Sequence, residues 1–135
     1  GVLKEDIKEY ALKLGLKDKV IFKDNTDRIE EIYNAIDYFL FPSKYEGLGM
    51  VVIEAQVNGL KVLASYAIPQ EAKITNNMKF LSLKTSPEEW AKLIIQESFY
   101  ERKKIAETEE ILKFDSRNTA MELDKYYKSE VCKIK

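Results

Sequence analysis

The chain has 135 residues, 45% of them hydrophobic and 33% charged, and its formal net charge is −1. This length and composition fit one globular domain, residues 1–135, with a buried core, and the nearly neutral charge gives no electrostatic reason to bind nucleic acid. Histidine is absent and Cys132 is the single cysteine, which excludes Ser-His-Asp and Cys-His catalysis, most zinc sites and an internal disulfide.

The first part of the chain alternates helix-like and strand-like patterns. A helix is predicted in "KEDIKEYALKLG", which ends at Gly15. Its apolar residues recur at helical spacing: Ile7, Tyr10, Ala11 and Leu14. The run from Lys19 to Phe22, "KVIF", is typical of a strand. Asn25 or Thr26 is then expected to cap a second helix. That helix would bury Ile29, Ile32, Tyr33 and Ile36. A buried strand, Tyr38 to Phe41, follows.

The second part continues the alternation. The third strand is predicted from Lys61 to Ser65 and the fourth from Lys79 to Leu83, with a short helix beginning near Pro69 between them. "SPEEWAKLIIQESF" predicts a helix that Ser86 caps. Residues 99–132 are expected to form the C-terminal helices, with a break near "FDSRN".

Strands of four or five residues that alternate with helices indicate βαβ units. The predicted fold class is therefore α/β, a three-layer Rossmann-like doubly wound parallel sheet covered on both faces. Four strands are few for such a sheet, so one or two more strands are expected upstream of Gly1.

The last helix, about Asp115 to Cys132, has more apolar area than a solvated helix needs. The residues concerned are Met121, Tyr126, Tyr127 and Val131. We expect this face to point outwards, and self-association follows if nothing covers it.

The segment "PSKYEGLG" lies between the strand that ends at Phe41 and a helix that begins near Gly49. In an open α/β sheet, ligands bind beyond the carboxyl ends of the strands. Gly47 and Gly49 permit unusual backbone dihedrals and a close approach to a ligand. The free N–H groups of the next helix carry about half a positive charge towards this loop, which suits phosphate.

Two other phosphate motifs fit this segment poorly. A P-loop requires Lys followed by Ser or Thr after its glycines, which Leu48-Gly49-Met50 does not supply. The dinucleotide fingerprint requires a third glycine where Val52 stands, and its strand-to-helix turn is tighter than this one.

Two glutamates flank the glycines. Glu54 has mostly apolar helical neighbours, so its carboxylate must reach water, find a partner or serve a ligand such as a sugar hydroxyl. The alternative is a glutamate that interacts with the helix dipole or lies at the edge of the apolar face. Glu46, before the glycines, is either a catalytic group or a solvated loop residue.

The segment Phe41 to Ser65 resembles the motif of retaining glycosyltransferases of family 4, which have the GT-B fold. The matching form is P-S-x-x-E-G-[FL]-G, an apolar run, E-A, and G-x-x-V-x-A-S. The matching residues are Pro42, Ser43, Glu46, Gly47, Leu48, Gly49, Glu54, Ala55, Gly59, Val62, Ala64 and Ser65. "GLKDKVIFKD", "IYNAIDYFLFPS" and "IPQEAKIT" extend the likeness, the last towards members that act in capsular and exopolysaccharide synthesis.

The resemblance implies a role for each matching position. Glu54 would accept hydrogen bonds from the ribose of a nucleotide-sugar donor, and Glu46 would lie beside the donor sugar as the catalytic residue. The diphosphate would be held by the backbone amides of Gly47, Leu48, Gly49 and Met50. The base would lie near Lys23, Asp24 and Asn25. The family uses no metal or other cofactor, and the sequence has no D-x-D triplet.

Three departures from the family pattern affect this interpretation. The acceptor-binding N-terminal domain and the cationic phosphate anchors of the donor domain are not in this sequence, and the usual "GG-I-P-E" element reads "YAIPQE", which displaces Glu71 by one position. We therefore expect a fragment of the donor-binding domain, inactive alone. Its parent would use a saccharide or lipid-linked acceptor and act in the cytoplasm or at the inner membrane surface.

Two rival functions stay open at this point. A sugar-nucleotide epimerase of similar fold would require titratable bases, and the lack of histidine weighs against it. A non-catalytic nucleotide-binding or partner-binding domain needs neither glutamate, so the presence of both Glu46 and Glu54 weighs against that function.

Overall fold

The computed structural model of the protein describes residues 2–103, 105–106 and 108–133, with the side chains of the last helix described up to Ser129. The helices, in chain order, are α1 Lys4–Lys13, α2 Ile29–Ala35, α3 Met50–Val57, α4 Pro87–Glu97, α5 Glu109–Leu112 and α6 Ser116–Lys133. The strands are β1 Tyr38–Phe41, β2 Lys61–Ser65 and β3 Met78–Leu81, and a 3₁₀ turn spans Gln70–Ala72.

The three strands form one parallel sheet in the order β1-β2-β3. β2 is its centre, with Val62, Leu63 and Ala64 fully buried. On one face, Val62 lies between Phe39 and Met78 in register, and the buried residues of α3 and α2 pack on this face. The predicted α/β class with a parallel sheet is confirmed.

The opposite face of the sheet carries α4. Lys79 forms an ion pair with Glu97 at the end of that helix, and Lys61 Nζ donates to the Glu97 carbonyl at 2.9 Å. Cover on this face is incomplete, because Leu40 of β1 is 45% exposed. The expectation of a sheet covered on both faces therefore holds for β2 and fails at the β1 edge.

The predicted strand Lys19 to Phe22 does not form. The segment has no regular structure, and Ile21 is 83% exposed. A strand is stable only where it pairs with a neighbouring strand, and this segment pairs with neither edge strand of the described sheet, β1 or β3. The strand predicted from Lys79 to Leu83 forms as Met78–Leu81. It begins one residue earlier and ends two residues earlier than predicted.

The predicted helices form with two corrections at their ends. Neither Asn25 nor Thr26 caps α2, whose N-cap is Arg28. The Thr26 hydroxyl instead accepts from the Arg28 amide at 3.0 Å in a local turn. The described residues from Tyr100 to Arg102 are not helical, so the C-terminal helices begin at Glu109.

The start of α4 and the end of α1 were predicted correctly from local residues. The Ser86 side chain caps α4 by accepting from the Glu89 amide, with Pro87 as the first residue of the helix. Gly15 follows α1 with φ +70°. The apolar face predicted for α1 is nevertheless largely exposed, since Ala11 alone of its four predicted residues is buried.

α6 leaves apolar side chains uncovered. Met121, Tyr126 and Tyr127 are each more than half exposed, as expected from the sequence, whereas the side chain of Val131 lies outside the described part. No described helix combines the length and the hydropathy that crossing a membrane demands.

A C-terminal strap, residues Tyr100 to Lys103, crosses the amino ends of β1 and β2. The Tyr100 hydroxyl accepts from the Lys61 amide at 3.0 Å and donates to the Asp37 carbonyl at 3.2 Å. The strap passes close to Gly59, which ends α3 with φ +84°, and a Cβ on Gly59 would lie 2.4 Å from the Lys103 carbonyl oxygen.

Gly59→Ala should therefore destabilise the protein far more than Gly15→Ala. Both glycines end a helix at positive φ, which costs an alanine about 1 kcal/mol, but a Cβ at Gly15 meets nothing within 4 Å. Overpacking against the strap backbone adds about 2 kcal/mol at Gly59. Urea denaturation of both variants measures the difference, and equal losses of unfolding free energy would show that the strap does not press on Gly59.

Candidate functional site

The loop Pro42 to Gly49 leaves the carboxyl end of β1 and enters α3. It is tied to the neighbouring strand by Ser65, which ends β2 and is fully buried. The Ser65 hydroxyl donates to the Ser43 carbonyl and accepts from the Ala67 amide at 3.3 Å. The loop is thus fixed at the carboxyl edge of the sheet, where ligands bind in this class of fold.

The two glycines of the loop differ in conformation. Gly49, the residue before α3, has φ +75° and ψ 56°, a left-handed conformation that favours glycine. A Cβ there would be in ordinary contact with Ile68, 3.5 Å away, so the backbone rather than space requires glycine. Gly47 does not have a positive φ, so of these two glycines Gly49 is the one whose conformation requires glycine.

The amides from Gly47 to Met50 donate no hydrogen bond to any residue in the described part of the chain, and the first amide of this region that does so is that of Val52, to the Gly49 carbonyl. Free amides at a helix N-terminus carry partial positive charge and bind anions. This end of α3 is therefore chemically suited to a phosphate group.

Glu46 lies on the loop, partly buried. The Ser43 hydroxyl is 3.1 Å from its Oε1 and 3.0 Å from the Tyr45 carbonyl, and can donate to either acceptor. The side chains of Lys44 and Tyr45 are exposed. Ser43, fixed through its own carbonyl to Ser65, thus restrains the carboxylate of Glu46.

Glu54 lies on the outward side of α3. The helix buries Val52, Ile53, Ala55 and Gln56, whereas Glu54 and its neighbour Val57 are exposed. The hydroxyl of Tyr33, in α2, donates to Glu54 Oε2 at 2.9 Å and lies 3.2 Å from the Val51 carbonyl. Burial of the Tyr33 hydroxyl raises the pKa of Tyr33 well above its ordinary value, and the hydrogen bond to the Glu54 carboxylate raises it further.

Gln56, which the sequence analysis did not single out, is the buried polar residue of α3. Its Nε2 donates to the carbonyls of Val52 and Ala72 at 2.9 and 2.7 Å. Its Oε1 accepts from the amides of Ile74 and Thr75. These bonds anchor α3 to the chain after the 3₁₀ turn, so Gln56 has a structural role.

An open cavity of about 710 Å³ lies between α2 and α3 and is bordered by the C-terminal segment, a volume in the usual range for small-molecule sites. Apolar side chains form most of its wall, and polar groups are spread among them. Its lining is Ile29, Glu30, Tyr33, Asn34, Met50, Ile53, Glu54, Val57, Asn58, Arg102, Ile111, Phe114 and Asp115. Met50 and Glu54 are the site residues predicted from the sequence that line this cavity, and no residue of its C-terminal wall was predicted.

Arg102 borders this cavity and binds the ends of both helices. Its Nε donates to the Asn58 carbonyl at 3.0 Å, and its Nη2 donates to the Tyr33 carbonyl at 2.8 Å. Nη1 lies 3.4 Å from the Ile36 carbonyl. A guanidinium on the C-terminal carbonyls of two helices also interacts favourably with their dipoles.

The remaining candidate residues lie away from the cavity wall. Lys23, Asp24 and Asn25 are exposed between α1 and α2. Lys4 forms an ion pair and hydrogen bond with Asp24 and thereby lowers the pKa of Asp24. Glu71 is exposed in the 3₁₀ turn. The roles expected for these residues stay predictions.

In residues 2–103, 105–106 and 108–129, whose side chains the structure describes, acidic side chains form no group of three or more that could hold a metal ion.

Residues 1–113 match the protein family described as glycosyl transferases group 1. The chain belongs to this family. The predicted α/β architecture agrees with a Rossmann-like part of a GT-B glycosyltransferase.

Several curated glycosyltransferases are similar to the chain over its middle part. A putative glycosyltransferase of Bacillus subtilis, EpsF, is 38% identical over 71 residues, 53% of this chain and 18% of that protein. The lipopolysaccharide core biosynthesis mannosyltransferase LpsB of Rhizobium meliloti is 35% identical over 60 residues, 44% of this chain and 17% of that protein. An Escherichia coli O-antigen biosynthesis glycosyltransferase, WclY, is 32% identical over 65 residues, 48% of this chain and 18% of that protein.

The matched part of this group 1 glycosyltransferase chain thus spans less than a fifth of the length of these relatives. No solved structure matches the chain.

Arg102→Ala should lower the free energy of unfolding of this chain of the glycosyl transferases group 1 family by about 2–3 kcal/mol, because charge-assisted hydrogen bonds to three carbonyls are lost. Arg28→Ala is the matched control and should cost less than about 0.5 kcal/mol, since in the described part of the chain the Arg28 side chain pairs only with the exposed Glu31 in the adjoining helix. Urea midpoints of both variants measure this. Equal losses would contradict a role of Arg102 in joining the helices.

Proposed function

We propose that this chain is the nucleotide-sugar-binding part of a retaining family 4 glycosyltransferase. The supporting observation is the arrangement at α3, where free amides at the helix N-terminus are followed one turn later by the carboxylate of Glu54. The first group fits a diphosphate and the second fits ribose hydroxyls, at a spacing set by the helix. A nucleoside diphosphate sugar carries both chemical groups.

The reaction transfers a hexosyl group to a saccharide or lipid-linked acceptor. The bond between the anomeric carbon and the phosphate oxygen breaks, and its electron pair leaves with the nucleoside diphosphate. The acceptor oxygen forms the new bond to the anomeric carbon, and its proton passes to the departing phosphate oxygen. The amides and dipole of α3 stabilise the negative charge that develops on the leaving phosphate, and Glu46 lies beside the positively charged sugar.

Names of the relatives support a place in polysaccharide synthesis, since two of them are described by lipopolysaccharide core and O-antigen biosynthesis. We extend the proposal to capsular and exopolysaccharide synthesis in the cytoplasm, at the inner membrane surface. The uncovered apolar side chains of α6 would pack on the rest of the enzyme or lead to self-association.

Glu54→Gln should weaken binding of a nucleoside diphosphate about tenfold or more with little change in the melting temperature. The substitution removes the charge that strengthens hydrogen bonds from ribose hydroxyls, worth about 1.5 kcal/mol or above. Calorimetric titration of UDP, GDP and ADP into the protein, in the full length its gene encodes, measures this with whichever nucleotide binds most tightly.

Glu30→Gln is the matched control, because Glu30 is an exposed glutamate that lines the same cavity from α2. Its affinity for the nucleotide should equal that of the wild type. Equal affinities for the wild type and Glu54→Gln, with a slightly lower melting temperature, would instead assign Glu54 to the helix dipole.

Glu46→Gln should reduce turnover by a hundredfold or more and leave nucleoside diphosphate affinity unchanged, because an interaction made chiefly in the transition state lowers kcat rather than ground-state binding. Release of UDP from UDP-glucose and of GDP from GDP-mannose, with Glu30→Gln as control, measures turnover. Full activity in Glu46→Gln would contradict a catalytic role for this residue.

A further inference from the structure

The contact between Tyr33 and Glu54 joins two helices across the cavity wall. Tyr33 lies in the middle of α2 and Glu54 in the middle of α3, and the hydroxyl donates to Oε2 over 2.9 Å. The same hydroxyl is 3.2 Å from the Val51 carbonyl. The shorter distance and the negative charge both favour the carboxylate as the acceptor.

Tyr33 is itself held in place from two sides. Its side chain is 3% exposed, and its ring packs edge to face on Phe39 of β1, with centroids 5.8 Å apart. Its carbonyl accepts from Arg102 Nη2 at 2.8 Å. A hydroxyl on a ring fixed in this way has a defined position, so it can define the position of the group it binds.

Glu54, in contrast, has little else to fix it. It is exposed and lies between Met50 and Val57, which cannot bind a carboxylate. In the described part of the chain no lysine or arginine forms an ion pair with it. A neutral donor on one oxygen leaves the charge of the carboxylate and its remaining acceptor sites available to other hydroxyls.

We propose that Tyr33 is a positioning residue that holds the carboxylate of Glu54 in the orientation in which it accepts hydrogen bonds from the ribose of the donor. The proposal rests on the proposed function, because it assumes that Glu54 binds ribose. Without the tyrosine hydroxyl, the side chain of Glu54 must be ordered when the ligand binds, which weakens binding.

The test compares a ribonucleotide with its 2′,3′-dideoxy analogue in the full-length protein. UDP, GDP or ADP is used, whichever the wild type binds most tightly. Tyr33→Phe should bind the ribonucleotide about threefold to tenfold more weakly than the wild type and the dideoxy analogue equally well. In the Glu54→Gln background, Tyr33→Phe should cause no further loss, because the two residues then act through one contact.

Tyr38→Phe is the matched control. Tyr38, which is partly buried, likewise has its hydroxyl near a carboxylate, 3.4 Å from Glu97 Oε2, but on the opposite face of the sheet. Its affinity for both nucleotides should equal that of the wild type. If Tyr33→Phe does not fold, 4-fluorophenylalanine at position 33 fills the space of the hydroxyl without donating a hydrogen bond. The same selective loss of affinity for the ribonucleotide over its dideoxy analogue is then expected.

The outcomes separate this proposal from the proposed function. If Glu54→Gln weakens ribonucleotide binding and Tyr33→Phe does not, the positioning role is wrong and the proposed function stands. An equal loss for the ribonucleotide and its dideoxy analogue in Tyr33→Phe means a merely structural role and also overturns the proposal. If Glu54→Gln has no effect on affinity, the ribose role fails, and the positioning role fails with it.

Discussion

The packing of α3 on the sheet is the interaction on which the candidate site depends. Val52, Ile53 and Ala55 are buried against the β1-β2 face, and the side chain of Gln56 makes its hydrogen bonds inside the same core. This packing fixes the direction of the helix axis, so its free amides point to the loop after β1. Because these residues face the core, the side of the helix that carries Glu54 faces outwards.

The two carboxylates that flank the glycines are held by neutral hydroxyls, from different parts of the chain. Ser43 binds Glu46 within the loop, and Ser65 fixes Ser43 to the next strand. Tyr33 binds Glu54 from another helix. A hydroxyl restrains a carboxylate without neutralising it, so both groups keep the charge that a role towards ribose hydroxyls or a cationic transition state requires.

The C-terminal strap connects the amino edge of the sheet with the cavity. Tyr100 binds backbone groups at the start of β2, and Arg102 binds carbonyls at the ends of α2 and α3. The distance between these two helices sets the width of the cavity that contains Glu54. Residues far from the carboxyl edge of the sheet therefore influence the geometry of the candidate site.

The sequence by itself determined the features that depend on neighbouring residues. Ser86 and Pro87 start α4, and Gly49 enters α3 in the left-handed conformation, because caps and positive φ are local requirements. The alternation of short strands and helices likewise gave the α/β class, and the loop pattern identified Glu46 and Glu54 as candidates.

Tertiary structure alone decided the rest. The run Lys19 to Phe22 has the composition of a strand but does not pair with β1 or β3 in the described structure, and no local pattern reveals whether a segment pairs with a sheet. Arg102 reaches Tyr33 across 69 positions of sequence, and Tyr33 reaches Glu54 across 21. Partners this far apart are chosen by how the helices pack on the sheet, because hydrogen bonds of this kind depend on position in space and leave no periodic signal in the sequence.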